Sequence, residues 1–358
     1  MPSLKEIKGR INSISSTLAI TSAMKMVAAA KLQKAQMAIQ NMLPYERRLH
    51  SMLIDLMGAM NISAAASEDG SVRGSGSAER GFDQSGDRLS LSNRHDLAGM
   101  DGTYSLMAQR EVRKVAIVAF ASNSSLCGAF NSNVIREATA VINEYRASGL
   151  GDADITVYSV GRKMAEAMKK LGFPSPADFT KMSDSPSYEA ASALAQELLD
   201  GFVSGRFDKV ELVYNHYKST SSQPTTRQTY LPLSLADATA DIQVGKITDS
   251  ASESDTNRVA EPVGAPVVRQ GSPTTEDLIV EPSKEALIAT LLPKVIRLRI
   301  FTTLLDSAAA EHAARTVAMQ LATDNGNDLL QELTLEYNKG RQQKITSEIL
   351  DLVGGSMQ

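Results

Sequence analysis

Chemistry, if this chain does any, has few side chains to work with. Its 358 residues hold one cysteine, Cys127, and four histidines, His50, His95, His216 and His312. A lone thiol makes no internal disulfide and no multi-cysteine metal site, and it becomes a nucleophile only where a base folds against it. The histidines stand apart, none with a second ligand at metal spacing, and Glu311-His312 is not part of an H-E-x-x-H pair. One further place invites a site: the turn Ala121 to Asn131, which follows the β-branched run Val112 to Phe120. Open α/β proteins bind phosphates in such turns. This one holds a single glycine, Gly128, and neither the spaced glycines of a dinucleotide fingerprint nor a Gly-Lys-Ser/Thr phosphate loop. It reads as a structural turn, with Asn131 capping the helix behind it and Cys127 as a small buried thiol. No catalytic residue, cofactor site or metal site is expected.

The elements that would position any site are dominated by the two ends of the chain. Leu4, Ile7, Ile11, Ile14 and Leu18 alternate steps of three and four, the spacing that keeps one helical seam facing a partner. In the same register the seam continues through Thr21, Lys25, Ala28, Leu32, Ala35, Ile39 and Met42, turning small and polar midway. Ser3 and Glu6 form a capping box after Pro2, so the first helix is expected from Ser3 to near Met60, with a bend or break at Pro44. A closing helix starts at the cap Ser283, carries Leu291, Val295, Leu298, Phe301, Leu305 and Ala308 in the same rhythm, and ends near Val353 before Gly354-Gly355. Asp324, Asp328, Glu332 and Glu336 recur along it at helical spacing, as a solvated or docking face.

Between these helices the pattern alternates. Strands are expected at Val112–Phe120, Ile155–Val160, Lys209–Asn215 and Thr226–Pro232, and helices at Asn131–Ser148, Arg162–Leu171 and Tyr188–Ser204. The fold class is therefore α/β: two long terminal helices in an antiparallel coiled coil plus a small central α/β domain with a mostly parallel sheet. The divisions are 1–60 (N-terminal coiled-coil helix), 61–110 (polar flexible insertion), 111–236 (central domain), 237–282 (polar insertion and return segment) and 283–358 (C-terminal coiled-coil helix). The polar stretches are rich in Ser, Gly, Asp and Pro and cannot bury enough apolar surface to offset ordering.

Composition narrows the function classes. An apolar fraction of 42% supports a real core, and the net charge of −4 hides a basic first helix in which Lys5, Lys8, Arg10, Lys25, Lys31, Lys34, Arg47 and Arg48 outnumber the carboxylates. Such a helix seeks an acidic partner. Nucleic acid would call for interleaved aromatics, and the first helix offers only Tyr45. No apolar run approaches the roughly 20 residues that span a bilayer, and no export or transit peptide is visible. Three readings stay open on these grounds: a coiled-coil scaffold, a nucleic-acid-binding protein with an α/β domain, and an α/β enzyme with an unrecognised site.

A resemblance separates them. Ile20-Thr21-Ser22-Ala23-Met24-Lys25-Met26-Val27-Ala28-Ala29-Ala30-Lys31-Leu32 resembles the N-terminal signature of the F-type ATP synthase gamma subunit family. Glu311 to Met319, Ala322-Thr323-Asp324-Asn325, Leu335 to Lys339, Arg341-Gln342 and Ile345 to Ile349 resemble its C-terminal signature, and Leu126 to Asn131 with Glu281-Pro282-Ser283 also look like family positions. The resemblance implies a non-catalytic rotor shaft that couples ion-driven rotation of the c-ring to ATP synthesis or hydrolysis in the alpha/beta hexamer. It implies the alpha and beta subunits, the epsilon subunit and the c-ring as partners, no nucleic acid, and membrane association only through the complex, on the cytoplasmic face of the bacterial inner membrane. Carried over as rotor contacts with alpha and beta are Met24, Lys25, Arg315, Gln342, Thr346 and Glu348. Against the family pattern, Ser63 to Gln109 and much of Thr239 to Thr275 look like lineage-specific additions, and the single cysteine argues against the dithiol switch of plastid members.

Overall fold

The computed structural model describes residues 3–68, 106, 110–233, 281 and 283–355. The first helix, α1, spans Leu4–Glu68 and the last spans Lys284–Gly355. Between them lie β1 (Val115–Phe120), α2 (Phe130–Ala147), β2 (Ile155–Val160), α3 (Arg162–Lys170), α4 (Thr180–Asp184), α5 (Tyr188–Val203), β3 (Lys209–Asn215) and β4 (Thr225–Leu231). The closing helix is α6. Most of 61–110 and 237–282, the two expected insertions, lies outside the described residues.

The sheet runs β2-β1-β3-β4, with β2, β1 and β3 parallel and β4 antiparallel on the edge. Every residue of β1 is buried, as a central parallel strand covered on both faces requires. Alternate side chains feed two cores. Val115, Ile117, Ala119, Val157 and Val213 pack under α2 and α3. Ala116, Val118, Phe120, Tyr158, Leu212 and Tyr230 face α5 and the inner ends of the long helices, where Leu49, Leu53, Leu56, Leu292, Ile296 and Leu304 join them.

The helix starts follow from capping. The Ser3 hydroxyl accepts from Glu6 N at 3.2 Å, and the Ser283 hydroxyl from Ala286 N at 3.2 Å. Pro44 neither breaks α1 nor ends it, and the helix runs on past Met60. Pro44 is exposed, as is Gln40 one turn back, so water can serve the carbonyl that the proline leaves unbonded. Packing holds the helix on both sides of it: Leu32 on Ala309 and Ala313, Leu49 to Leu56 in the core, and Glu46 accepting from Thr302 Oγ1 at 3.0 Å. The short α4 has no apolar periodicity to announce it.

The edge strand is fastened by a buried carboxylate. Glu211 on β3 accepts from Tyr145 Oη at 2.6 Å, pairs with Lys209 at 2.7 Å, and takes two bonds from Arg227 of β4 at 2.7 and 3.1 Å; Arg227 also pairs with Glu144 on α2. Burial alone would raise the Glu211 carboxyl, but these hydrogen bonds outweigh it and hold it below the usual carboxylate range. Removing one partner of a buried ion pair strands the others, so Glu211→Ala is expected to cost about 3 kcal/mol. Glu144→Ala, at the exposed end of the same network, should cost less than about 1 kcal/mol. Denaturant midpoints of the full chain measure both.

Candidate functional site

The terminal helices lie antiparallel, and their register can be read from three approaches. Thr21 and Thr323 hydroxyls sit 3.1 Å apart, a Cβ at Gly326 would stand 2.7 Å from Leu18 Cδ2, and one at Gly340 would stand 3.2 Å from Leu4 Cδ2. The two glycines let a leucine of α1 settle against the α6 backbone. All twelve positions of the seam from Leu4 to Met42 are buried or half-buried, while Lys8, Arg10, Lys31 and Lys34 are exposed. Beyond Gly340, α6 has no partner from α1. Residues 341–350 are all exposed, among them Ile345, Ile349 and Leu350, and the overhang to Gly355 is about 20 Å of single helix.

At the other end of this shaft the α/β domain grips it. In open α/β sheets a ligand occupies the crevice at the carboxyl ends of the central strands. Here that crevice receives α6. Cys127 and Phe130, from the turn after β1 and the start of α2, pack on Ala310, with Ala314 and Tyr217 beside them. Arg315 on α6 donates to Ser124 Oγ at 2.7 Å and pairs with Glu311 at 2.7 Å. Asp306 meets His216 and Tyr217 where β3 ends. Asn131 does not cap α2: the cap position is Ala129, and Asn131 Oδ1 accepts from Ser122 N at 3.0 Å. Its side chain turns back to brace the turn instead. Among the described residues no cluster could hold a metal ion, and no helix is long and apolar enough to cross a membrane.

The six residues expected at partner contacts fall in three places. Met24 and Lys25 are half-buried midway along α1. Arg315 lies at the neck, tied to the domain. Gln342, Thr346 and Glu348 are exposed on the overhang, where Thr346 Oγ1 donates to the Gln342 carbonyl. They are not brought together into one pocket; they are strung along a shaft. Asp324, Asp328, Glu332 and Glu336 are exposed along α6.

A family model described as ATP synthase matches residues 3–357. The chain is 48% identical to the ATP synthase gamma chain of Phocaeicola vulgatus over 357 residues, all of both chains, and 45% identical to that of Bacteroides thetaiotaomicron over 358 residues, again all of both. It belongs to the ATP synthase gamma chain family. These gamma chains are matched end to end, so the polar stretches are not private additions of this chain. Among solved structures, it is similar to a chain of the Euglena gracilis mitochondrial ATP synthase in rotational state 3, with a TM-score of 0.52, 18% identity, and coverage of 99% of this chain and 93% of that one. At that identity the likeness is one of fold: long terminal helices and a mostly parallel sheet are the architecture of this family.

The neck also holds the residues that sequence patterns missed, His216, Tyr217 and Asp306. The available signal was a polar run, Asn215-His216-Tyr217, that closes an apolar strand and continues past it, where the carboxyl edge must be. Nearby, His312 is pushed down to about 4 by burial first, then by Arg315 and Lys31. A histidine that resists protonation when folded leaves stability intact above its free value of 6.5 and subtracts from it as pH falls from 6.5 toward 4. His312→Gln should therefore narrow the stability lost on acidification across that window, and thermal melts of both proteins at pH steps measure the difference.

Proposed function

We propose that this gamma chain is the central rotor shaft of an F-type ATP synthase, carrying ion-driven rotation of a c-ring to conformational cycling in an alpha/beta hexamer. The observation that carries the reading is a two-helix shaft that stands out of an α/β domain and ends in an exposed single helix. The paired region and its overhang extend about 75 Å from the neck, with no catalytic set along them. The mechanism asks no bond-making of this chain. Three identical beta subunits around a lopsided shaft each meet a different face, so the shaft biases their open and closed states unequally. Turning it passes the bias onward, toward ATP synthesis in one direction and hydrolysis in the other.

In this reading Met24, Lys25, Arg315, Gln342, Thr346 and Glu348 contact alpha and beta. Exposed apolar side chains on the same two helices, Ile20, Met26, Val27, Leu321, Leu329 and Leu335, suit a sleeve that must be slid past. The basic face of α1 suits acidic segments of beta. The α/β domain, 111–236, would sit with epsilon on the c-ring, and the protein would reach the membrane only through the complex. Leu233 N donates to the Leu106 carbonyl at 3.1 Å and Leu106 is buried in the domain's core, which fits insertions 61–110 and 237–282 carried at the domain end of this rotor.

Purification from membranes with alpha and beta each in threefold excess over this chain is the expected result. A lone monomer, or recovery with DNA, would sink the reading. Met24→Lys adds a charge to a surface sliding near beta and should lower the number of ions pumped per ATP hydrolysed while leaving assembly intact; an unchanged ratio defeats that contact. Deleting Ser67 to Gly99 should leave assembly intact, as judged by subunit stoichiometry.

A further inference from the structure

Where α6 leaves the core its packing thins to methyl groups: Ala308, Ala309, Ala310 and Ala313 are all buried. Contacts of this kind fix a distance but are non-directional, and resist the turning of one surface over another only weakly. Directional bonds lie among them. Asp306 places Oδ2 2.6 Å from His216 Nδ1 and accepts from Tyr217 N on Oδ1 at 2.9 Å. The Tyr217 hydroxyl accepts from Gln36 Nε2 of α1 at 2.6 Å. Two consecutive residues at the end of β3 thus hold both shaft helices. They are braced from behind: His216 N donates to the Pro224 carbonyl at 2.9 Å, Asn215 Nδ2 to the Phe130 carbonyl at 3.1 Å, and Thr225 Oγ1 to Asn215 Oδ1 at 2.7 Å.

We propose that Asp306 is a positioning residue that pins both shaft helices to the α/β domain at the neck, through His216 and the Tyr217 that holds Gln36, so that domain and shaft turn as one body. Its use in torque transmission rests on the rotor reading above; its geometry does not. The pin carries a dependence on pH. The bond from Asp306 raises the His216 imidazole above its ordinary value, against burial and the charge of Lys218, which lower it. Asp306 and Lys218 are the charged groups that act on it among the described residues. Tyr217, the next residue along, bonds to the neutral Gln36 of α1, and the His216 amide meets the Pro224 carbonyl just before β4. A raised folded value makes the charge-assisted bond complete below about 6.5 and lost as pH rises through that raised value. The neutral ring still donates from Nδ1, so the pin weakens at alkaline pH without opening.

The amide of Tyr217 reports the pin directly. In the assembled complex, and in the full chain alone, Asp306→Ala should lower hydrogen-exchange protection at Tyr217 by about tenfold or more, with Val210 to Tyr214 unchanged. Wild-type protection, corrected for intrinsic exchange, should decline from about pH 6 to about pH 9, while His216→Asn, which keeps a neutral donor where Nδ1 stands, should show no decline. In the complex, a bead on the α/β domain with the catalytic ring fixed should fluctuate over a wider angle in Asp306→Ala than in wild type. Unchanged protection at Tyr217 overturns the pin. Loss of protection through all of β3 overturns it too, since Asp306 would then only support the fold. Loss confined to Tyr217 with unchanged angular width overturns the coupling role. A complex lacking alpha and beta would fail the rotor reading and leave the exchange result standing.

Discussion

Everything in this molecule depends on a close antiparallel approach between its first and last helices. Gly326 against Leu18 and Gly340 against Leu4 are the points where a side chain of α1 meets bare α6 backbone. Glycine inside a helix costs about 1 kcal/mol of helix stability relative to alanine. The cost is offset by letting the helices close without a ridge in the way, and by fixing one register out of many. A seam of large side chains throughout would hold more tightly. This seam instead passes through the small or polar side chains of Thr21, Lys25 and Ala28, beside which Met26 and Val27 are left exposed. The shaft is barest toward its tip, where residues 341–350 are all exposed.

The α/β domain turns a familiar architecture to an unfamiliar use. A parallel sheet leaves a crevice at its carboxyl edge, and the turn after β1 would be the natural cradle for a phosphate. Instead the polar groups of that edge, Ser124, His216 and the Tyr217 amide, meet Arg315 and Asp306 of the chain's own last helix. What a doubly wound protein offers to a ligand, this chain gives to a mechanical joint. The same use explains why Asn131 faces the turn rather than capping α2: the turn must be stiff because a helix leans on it.

Much of this architecture is legible in the sequence because it is local. The steps of three and four in α1, the alternation of apolar runs with helical stretches, and the serines before Glu6 and before α6 each state a preference that tertiary structure then keeps. The seam residues from Leu4 to Met42 follow from periodicity alone, since a repeat of that spacing selects one face of a helix. What was illegible is relational. No pattern says that Gly326 meets Leu18, since register depends on two segments hundreds of residues apart. Pro44 reads as a break from local rules, yet exposure of Gln40 and packing on either side carry the helix through it. His216 and Asp306 are ordinary residues singly, and only the fold brings them to 2.6 Å. The contact residues proposed on α1 and α6 rest on family likeness alone, because nothing in their spacing along either helix marks them out.

The pairing of Thr21 with Thr323, 302 residues apart in sequence, has a consequence for how the chain is made. The first helix leaves the ribosome with its apolar face complete and its mate not yet translated. Loop closure over such a span comes last, after the sheet has formed between them. Biosynthesis must therefore carry a long, sticky, half-finished rod through most of translation.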